Sequence, residues 1–237
     1  MPTPGCVPLF VLVVAIGVAF PARTLAQTSC GGVARITGTT VLRSDCSGSH
    51  ASGFVDEQTV TSYIVASGQG AHAFGLAVDG YLEASDDGSV VAGYARTSSE
   101  ITSSGDGSFA LGYASDNSSI IARGQGAFAF GHAKDNARIV STETGSIAAG
   151  LAREGRIIAD ADGAIALGYA ASKGEIWARS DAAFAWGYAE DGRILASDTG
   201  AIALGMGLFS TTSSSFVTGF GQVISEDNGS FALGNGE

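Results

Sequence analysis

The chain has 237 residues, 45% of them apolar and 15% charged, with a formal net charge of −11. That apolar fraction is ample for a core, while the acidic balance and the lack of any basic patch speak against nucleic acid or an anionic membrane surface as partner. Thirty-five glycines without a three-residue period exclude collagen, and the apolar content excludes a disordered tail.

The first predicted element is an export signal over residues 1–26. A mostly apolar run from Leu9 to Phe20 is followed by Pro21 and the small-residue step Thr24-Leu25-Ala26. The run is too short to cross a bilayer, so no membrane span is expected in the mature chain. Its removal takes away Arg23 and no acid, moving the net charge from −11 to −12. Cys6 leaves with it, and Cys30 and Cys46 then remain in an oxidising compartment, where an even pair is expected to bridge. Such a disulfide would contribute about 3 kcal/mol in the chain-entropy picture.

Residues 27–47 are the least repetitive part of the mature chain and read as an N-terminal cap, with Val33 to Thr37 and Thr39 to Leu42 as candidate strands. From residue 48 to 237 the chain is a repeat domain. Its marker is an octet such as Gly163-Ala164-Ile165-Ala166-Leu167-Gly168-Tyr169-Ala170, whose second glycine recurs from Gly53 to Gly234. Between Gly75 and Gly205 the steps are 18 or 19 residues. The octet alternates strictly, so it should be a strand with two distinct faces. Four residues before the reference glycine every copy has Ala or Ser, and two before it nine of eleven have Ala. The other face is large and apolar.

Each octet is followed by a loop with turn chemistry, as in Asp79-Gly80, Asp116-Asn117, Asp135-Asn136, Glu154-Gly155, Lys173-Gly174 and Asp191-Gly192. A short strand comes next, with an aliphatic and a small residue two apart: Leu82/Ala84, Ile120/Ala122, Ile157/Ala159. A fixed-length turn then leads into the following octet, and its glycines, Gly88, Gly107, Gly126, Gly145, Gly163 and Gly200, are expected to be left-handed, with Ala182 as a departure. After Gly205 the octet recurs at Gly219 and Gly234, 14 and 15 residues on. If 14 residues complete a coil, each coil has two strands and two turns. A hexapeptide helix would need an aliphatic residue every six, and none recurs so.

The expected architecture is therefore an all-β parallel solenoid, a two-strand-per-coil β-roll of about eleven coils. The Ala/Gly face would fill a thin interior against the Ile/Leu of the second strand. The bulky ladder would point outward as an apolar patch of roughly 800 Å², larger than a monomer usually leaves in water. Self-association would cover it. The predicted oligomer interface comprises Phe109, Leu111, Tyr113, Phe128, Phe130 and Ile165, continued by Leu167, Tyr169, Phe184, Trp186, Tyr188, Ile202 and Leu204. The rival arrangement puts the aromatics inside.

Phrases such as Gly107-Ser108-Phe109-Ala110-Leu111-Gly112, Gly200-Ala201-Ile202-Ala203-Leu204-Gly205 and Gly229-Ser230-Phe231-Ala232-Leu233-Gly234 resemble the head repeats of trimeric autotransporter adhesins, the YadA-like left-handed parallel β-roll. In that family three chains wind into one head that binds host-surface or matrix proteins. The resemblance thus implies left-handedness, a homo-trimer and an adhesive role at the cell surface. The central units here are four or five residues longer than that pattern.

No catalytic constellation stands out, and no cofactor is expected. His50 and His72 share a repeat position, but Val90 follows them where a third metal ligand would stand. The acidic turns Asp86-Asp87-Gly88, Asp160-Ala161-Asp162-Gly163 and Ser197-Asp198-Thr199-Gly200 lack a calcium-roll nonapeptide and read as solvated. Tyr94/Tyr113 and Tyr169/Tyr188 could stack sugars, though burial at a subunit contact suits them better. The expected function is that of a non-enzymatic, secreted or cell-surface adhesin-like or structural protein. Its partners would be matrix or host-surface proteins or glycans, met through the loops Arg96–Ser99, Ser115–Ser119, Lys134–Arg138 and Ala171–Glu175. A carbohydrate-acting parallel β-helix enzyme and a fibre or virion structural protein are the alternatives.

Overall fold

The computed structural model describes residues 33–34, 41–56, 62–190, 192–208 and 222–236. The predicted export signal and Cys30 fall outside the described residues; Cys46 is partly buried.

Two parallel sheets run the length of the chain. One has eleven strands, beginning with Val33–Ala34 and continuing through the octets to Phe231–Gly236; the other has ten, from Val41–Ser44 to Gln222–Ser225. Every strand pairs with its counterpart one repeat away, so the expected all-β parallel solenoid with two strands per coil is present. Within the octet sheet the register is strict: Gly112 lies beside Gly131, and Gly131 beside Gly150. The turns join the same ladder, with the Gly107 N–H donating to the Asp87 carbonyl at 2.8 Å and the Asn136 N–H to the Asp116 carbonyl at 2.9 Å. Each coil is hydrogen-bonded to the next around its perimeter, which leaves few backbone groups to solvent.

The coil count is lower than the sequence suggested. Eight regular coils run from the short strand Tyr63–Ala66 to the octet strand Ile202–Leu208, with partial coils before and after. Ile202–Leu208 then pairs directly with Phe231–Gly236, Gly205 facing Gly234, and Arg193–Ala196 with Gln222–Ser225. The octet around Gly219 lies outside the described residues. The two-strand coil inferred from the short units is present in the regular ones.

The small face of the octet is inside and the large face outside, as the restriction to Ala and Ser implied. Ala110, Ala129, Ala148, Ala166 and Ala185 are fully buried, and so are Ile101, Ile120, Ile139, Ile157, Ile176 and Ile194 from the other sheet. The two sets interlock at the reference glycine. A Cβ built on Gly93 would come within 2.9 Å of Ile101 Cδ1, and one on Gly187 within 2.7 Å of Ile194 Cδ1. The isoleucine tip occupies the space that any side chain would take, and each fully buried one stabilises by about 1.5–3 kcal/mol.

A second constraint acts along the rod. The reference glycines have φ between +139° and +158°, and a Cβ on Gly131 would lie 1.9 Å from the Gly150 carbonyl oxygen. The backbone of one coil thus touches the next where only glycine fits. The turn glycines are left-handed as expected, with Gly126 at φ +62°, and Ala182 adopts the same conformation at +54°. The loop residues Asp79, Asp116, Asn117, Asp135, Asn136, Glu154 and Lys173 also have positive φ, which suits Asp and Asn.

One interior pattern went unread in the sequence. The last residue of each short strand and the inward residue five positions later touch across the turn. They are both Ser in the pairs 44/49, 103/108, 141/146 and 225/230, and both Ala in 66/71, 122/127, 159/164, 178/183 and 196/201. The hydroxyls of Ser103 and Ser108, and of Ser141 and Ser146, lie 2.6 Å apart. The mixed case is Ala84/Ser89, and there the buried Ser89 Oγ has no hydrogen-bond partner.

Candidate functional site

Two outward surfaces remain once the interior is assigned. On the octet sheet three rows of side chains project at the positions three and one before the reference glycine and one after it. Every predicted interface residue lies on these rows. Phe128, Phe130, Leu111 and Trp186 are exposed, Trp186 at 53%, and Phe109, Tyr113, Ile165, Leu167, Tyr169, Phe184, Tyr188, Ile202 and Leu204 are half-buried against their neighbours. Phe54, Phe74, Leu151 and Met206 extend the same exposed face.

Parallel register stacks like on like. The rings of Phe109 and Phe128 lie 4.9 Å apart and 5° from parallel, and those of Tyr169 and Tyr188 4.8 Å apart at 5°. These tyrosines spend their faces on each other, which leaves ring edges outward and removes them as sugar-stacking platforms. Tyr94 meets Tyr113 edge-on at 5.2 Å, and Tyr113 meets His132 at 4.6 Å. These three rows carry no Asp, Glu, Lys or Arg among the described residues, whereas the next outward position, three after the reference glycine, holds Asp56, Arg96, Lys134, Arg153 and Glu190. A hydrogen bond from the Tyr188 hydroxyl to Glu190, with partial desolvation, pushes that phenol up to about 12, so it too stays neutral.

The outer face of the short-strand sheet has a different chemistry. Its first outward row reads Tyr63, Tyr81, Glu100, Ser119, Arg138, Arg156 in successive coils. Tyr63 stacks on Tyr81 at 4.8 Å, and the Tyr81 hydroxyl donates to the Glu100 carboxylate. Burial raises the Glu100 pKa, while the guanidinium groups of Arg123 and Arg138 pull it down, the net direction being up. Desolvation, with Glu83 and Glu100 nearby, pushes the Tyr63 phenol up to about 12. Beside this row runs a stripe of Ile121, Val140 and Ile158, which is buried, with Trp177 packed at its end under the Arg179 guanidinium, 3.8 Å away.

Two hollows flank the hydrogen-bonded Tyr81–Glu100 pair, and small Ser119 opens the second of them. One hollow of about 270 Å³ is lined by Tyr81, Glu83, Glu100, Thr102, Ile121 and Arg123. A second of about 350 Å³ lies among Tyr81, Glu100, Asn117, Ser119, Asn136 and Arg138. Tyr81 and Glu100 border both. Sequence reasoning missed this site because the short strands share no motif on their outward positions; the one available signal was the break from large to small along the row.

The loops proposed as recognition elements present less surface than expected. Thr97, Ser98, Asn117, Asn136 and Lys173 project, while Ser99, Ser118, Ala137 and Gly174 beside them are buried and held in the ladder. The Asn117 amide donates to the Asn136 carbonyl at 2.8 Å, one coil on.

The metal readings find no support in geometry. The rings of His50 and His72 are 6.3 Å apart, and among the described residues no group of three or more His, Cys, Asp or Glu could hold an ion. Two of the turn carboxylates instead brace the coils: Asp87 accepts from the Gln69 N–H at 2.8 Å and Asp162 from the Thr144 N–H at 3.1 Å.

No family model, curated protein or solved structure matches this chain. Its function has to be argued from the two surfaces themselves.

Proposed function

We propose that this chain is an exported, non-enzymatic, adhesin-like or surface-structural protein that self-associates through the outward rows of its octet sheet. The observation that carries the reading is the set of outward Phe, Leu, Ile, Tyr and Trp side chains, in three rows free of Asp, Glu, Lys and Arg, standing outside a core that is already complete. An apolar surface of this kind along a whole rod favours burial against another copy, because the face repeats with the coils and would meet its own likeness along its full length. A homo-trimer built like the YadA-type head is the arrangement that the octet resemblance adds. The exposed loop tips and the polar outer face of the other sheet would then meet host-surface or matrix proteins or glycans at the cell exterior. Light scattering of the chain lacking residues 1–26, together with a binding assay on immobilised matrix proteins, tests the two halves of this reading. A monomer would sink the first half, and a folded multimer that binds no surface component would sink the second.

A second reading is favoured by one observation. Glu83 and Glu100 line the same hollow, and burial raises the Glu100 pKa; a pair of carboxyl groups, one of them raised, is the pairing used in glycoside hydrolysis. Turnover on a polysaccharide panel, abolished by Glu100→Gln, would replace the adhesive reading by an enzymatic one.

A further inference from the structure

We propose that the self-association face is proton-controlled: His50, His72 and His132 let copies of the chain pack together while neutral and drive them apart when protonated. The inference names the regulation of that face, and so rests on the self-association half of the proposed function.

The chain has three histidines, and all three stand on the three outward rows of the octet sheet. His50 and His72 are neighbours in the row three before the reference glycine, and His132 lies in the row one after it. The short-strand sheet, the turns and the loops hold none. Because these rows carry no Asp, Glu, Lys or Arg among the described residues, imidazole is the one side chain on them whose charge ordinarily changes between pH 5 and 8. The face with no fixed charge is thus the one that acid can charge.

The surroundings offer that charge little relief. Among the described residues no ion pair joins a histidine to a carboxylate. The rings of His50 and His72 lie 6.3 Å apart, with Val33 beside the first, Val90 beside the second and the Phe74 ring 6.4 Å from His72. Cys46 stands in the turn leading to His50, and Asp87, bound to the Gln69 N–H, braces the turn leading to His72; Asp56 and Arg96 end the strands far from the rings. Two imidazolium cations so placed repel one another. His132 is exposed, meets the edge of the Tyr113 ring at 4.6 Å and has Leu151 beside it. Lys134 and Arg153, both cations, end its own strand and the next, while Asp116, Asp135 and Glu154 lie in the loops beyond, Asp135 already paired with Arg153 at 3.2 Å.

The direction of the effect follows from burial. A free face takes up a proton in water, whereas a face pressed against another copy would have to bury the resulting charge among Phe, Leu and Ile. Each proton bound therefore favours the separate chains. In a symmetric assembly every copy brings its own three histidines to that cost. Self-association is expected to be tight above neutral pH and to weaken as the solution is acidified.

The test is light scattering over a dilution series of the chain lacking residues 1–26 at about pH 7.5 and about pH 5.5. It is run beside His132→Tyr and beside the triple variant His50→Phe, His72→Phe, His132→Tyr. Each substitution supplies a residue that the same row already carries, as at Phe109, Phe128 and Tyr113. The unaltered chain is expected to dissociate about tenfold or more readily at the lower pH with its circular dichroism unchanged. His132→Tyr should lose part of that difference and the triple variant nearly all of it. A multimer equally tight at both pH values, or a pH effect that neither variant reduces, overturns the proton control and leaves self-association standing; the latter result would point to groups off this face, such as Glu100 on the other sheet. A monomer at both pH values defeats self-association itself, and the proton control with it.

Discussion

On the octet sheet the three outward rows around the reference glycine hold no Asp, Glu, Lys or Arg among the described residues, and the charges Asp56, Arg96, Lys134, Arg153 and Glu190 stand at the strand ends. One thin interior away, the outward rows of the short-strand sheet hold Glu83, Glu100, Arg138, Arg156, Glu175 and Arg193. Inside, the two sheets are complements, glycine and alanine on one side and isoleucine on the other. The difference teaches that interior chemistry and exterior chemistry are set independently in a solenoid. The alternation of a strand lets each outward row drift without disturbing the packing beneath it. The mostly large apolar rows of the octet sheet are therefore a separate feature from the core, as is the mixed charged and apolar outer face of the other sheet.

The interior half of that comparison breaks most easily at the glycine ladder. Gly131→Ala places a Cβ 1.9 Å from the Gly150 carbonyl oxygen, and should cost more than about 4 kcal/mol or yield no folded chain. Gly126→Ala, at a turn with nothing within 4 Å of the new Cβ, should cost only about 1–2 kcal/mol for its left-handed backbone. Denaturant melts of the two variants check this, and equal losses would mean that conformation alone, not contact between coils, demands the ladder glycine.

Next in size is the contrast between inside and outside. Ile139→Ala, at a fully buried position, should destabilise by roughly 2–5 kcal/mol. Trp186→Ala removes a larger but exposed side chain. It should change the stability of the isolated chain by no more than about 0.5 kcal/mol while weakening self-association. Thermal melts at low and high protein concentration distinguish the two.

Smaller still are the serine pairs. Ser108→Ala leaves the buried Ser103 hydroxyl without its partner and should cost about 1–3 kcal/mol. Ser89→Ala removes a hydroxyl that is already unpartnered and should raise stability by about 1 kcal/mol.

The smallest effect is electrostatic and belongs to the polar sheet. Burial raises the Glu100 pKa in the fold, so the folded chain holds that proton more tightly than the unfolded one. Its contribution favours folding below the ordinary glutamate pKa and is lost as pH rises through the raised folded value. Glu100→Gln should flatten that part of the stability profile, as urea melts across the mildly acidic range would record. A steeper decline in the variant would put the two arginines, rather than burial, in control.

How much was legible in the sequence follows from what each row is made of. The strict Ala-or-Ser limit four residues before the reference glycine told inside from outside, because only a buried contact restricts size so narrowly. The turn glycines were legible from their fixed distance to the aliphatic residue. Alternation says that a segment can form a rung but not which octet it meets: Ile202–Leu208 pairs directly with Phe231–Gly236, and no spacing announced that. The two hollows beside Tyr81 and Glu100 were illegible, since they depend on which unlike residues neighbour one another across successive coils, and no periodicity encodes that. The Ser/Ser and Ala/Ala pairs were present in the letters but gain meaning only when the turn brings positions five apart into contact.

The central claim is that the uncharged octet face is covered by other copies of the chain. Light scattering of the chain lacking residues 1–26, beside its Phe130→Glu and Trp186→Glu variants, tests it most directly. The account predicts a discrete multimer, three chains on the adhesin-head arrangement, that falls to the monomer mass in both variants with the circular dichroism of the β-fold unchanged. A monodisperse monomer for the unaltered chain, or a multimer indifferent to both charges, would contradict it.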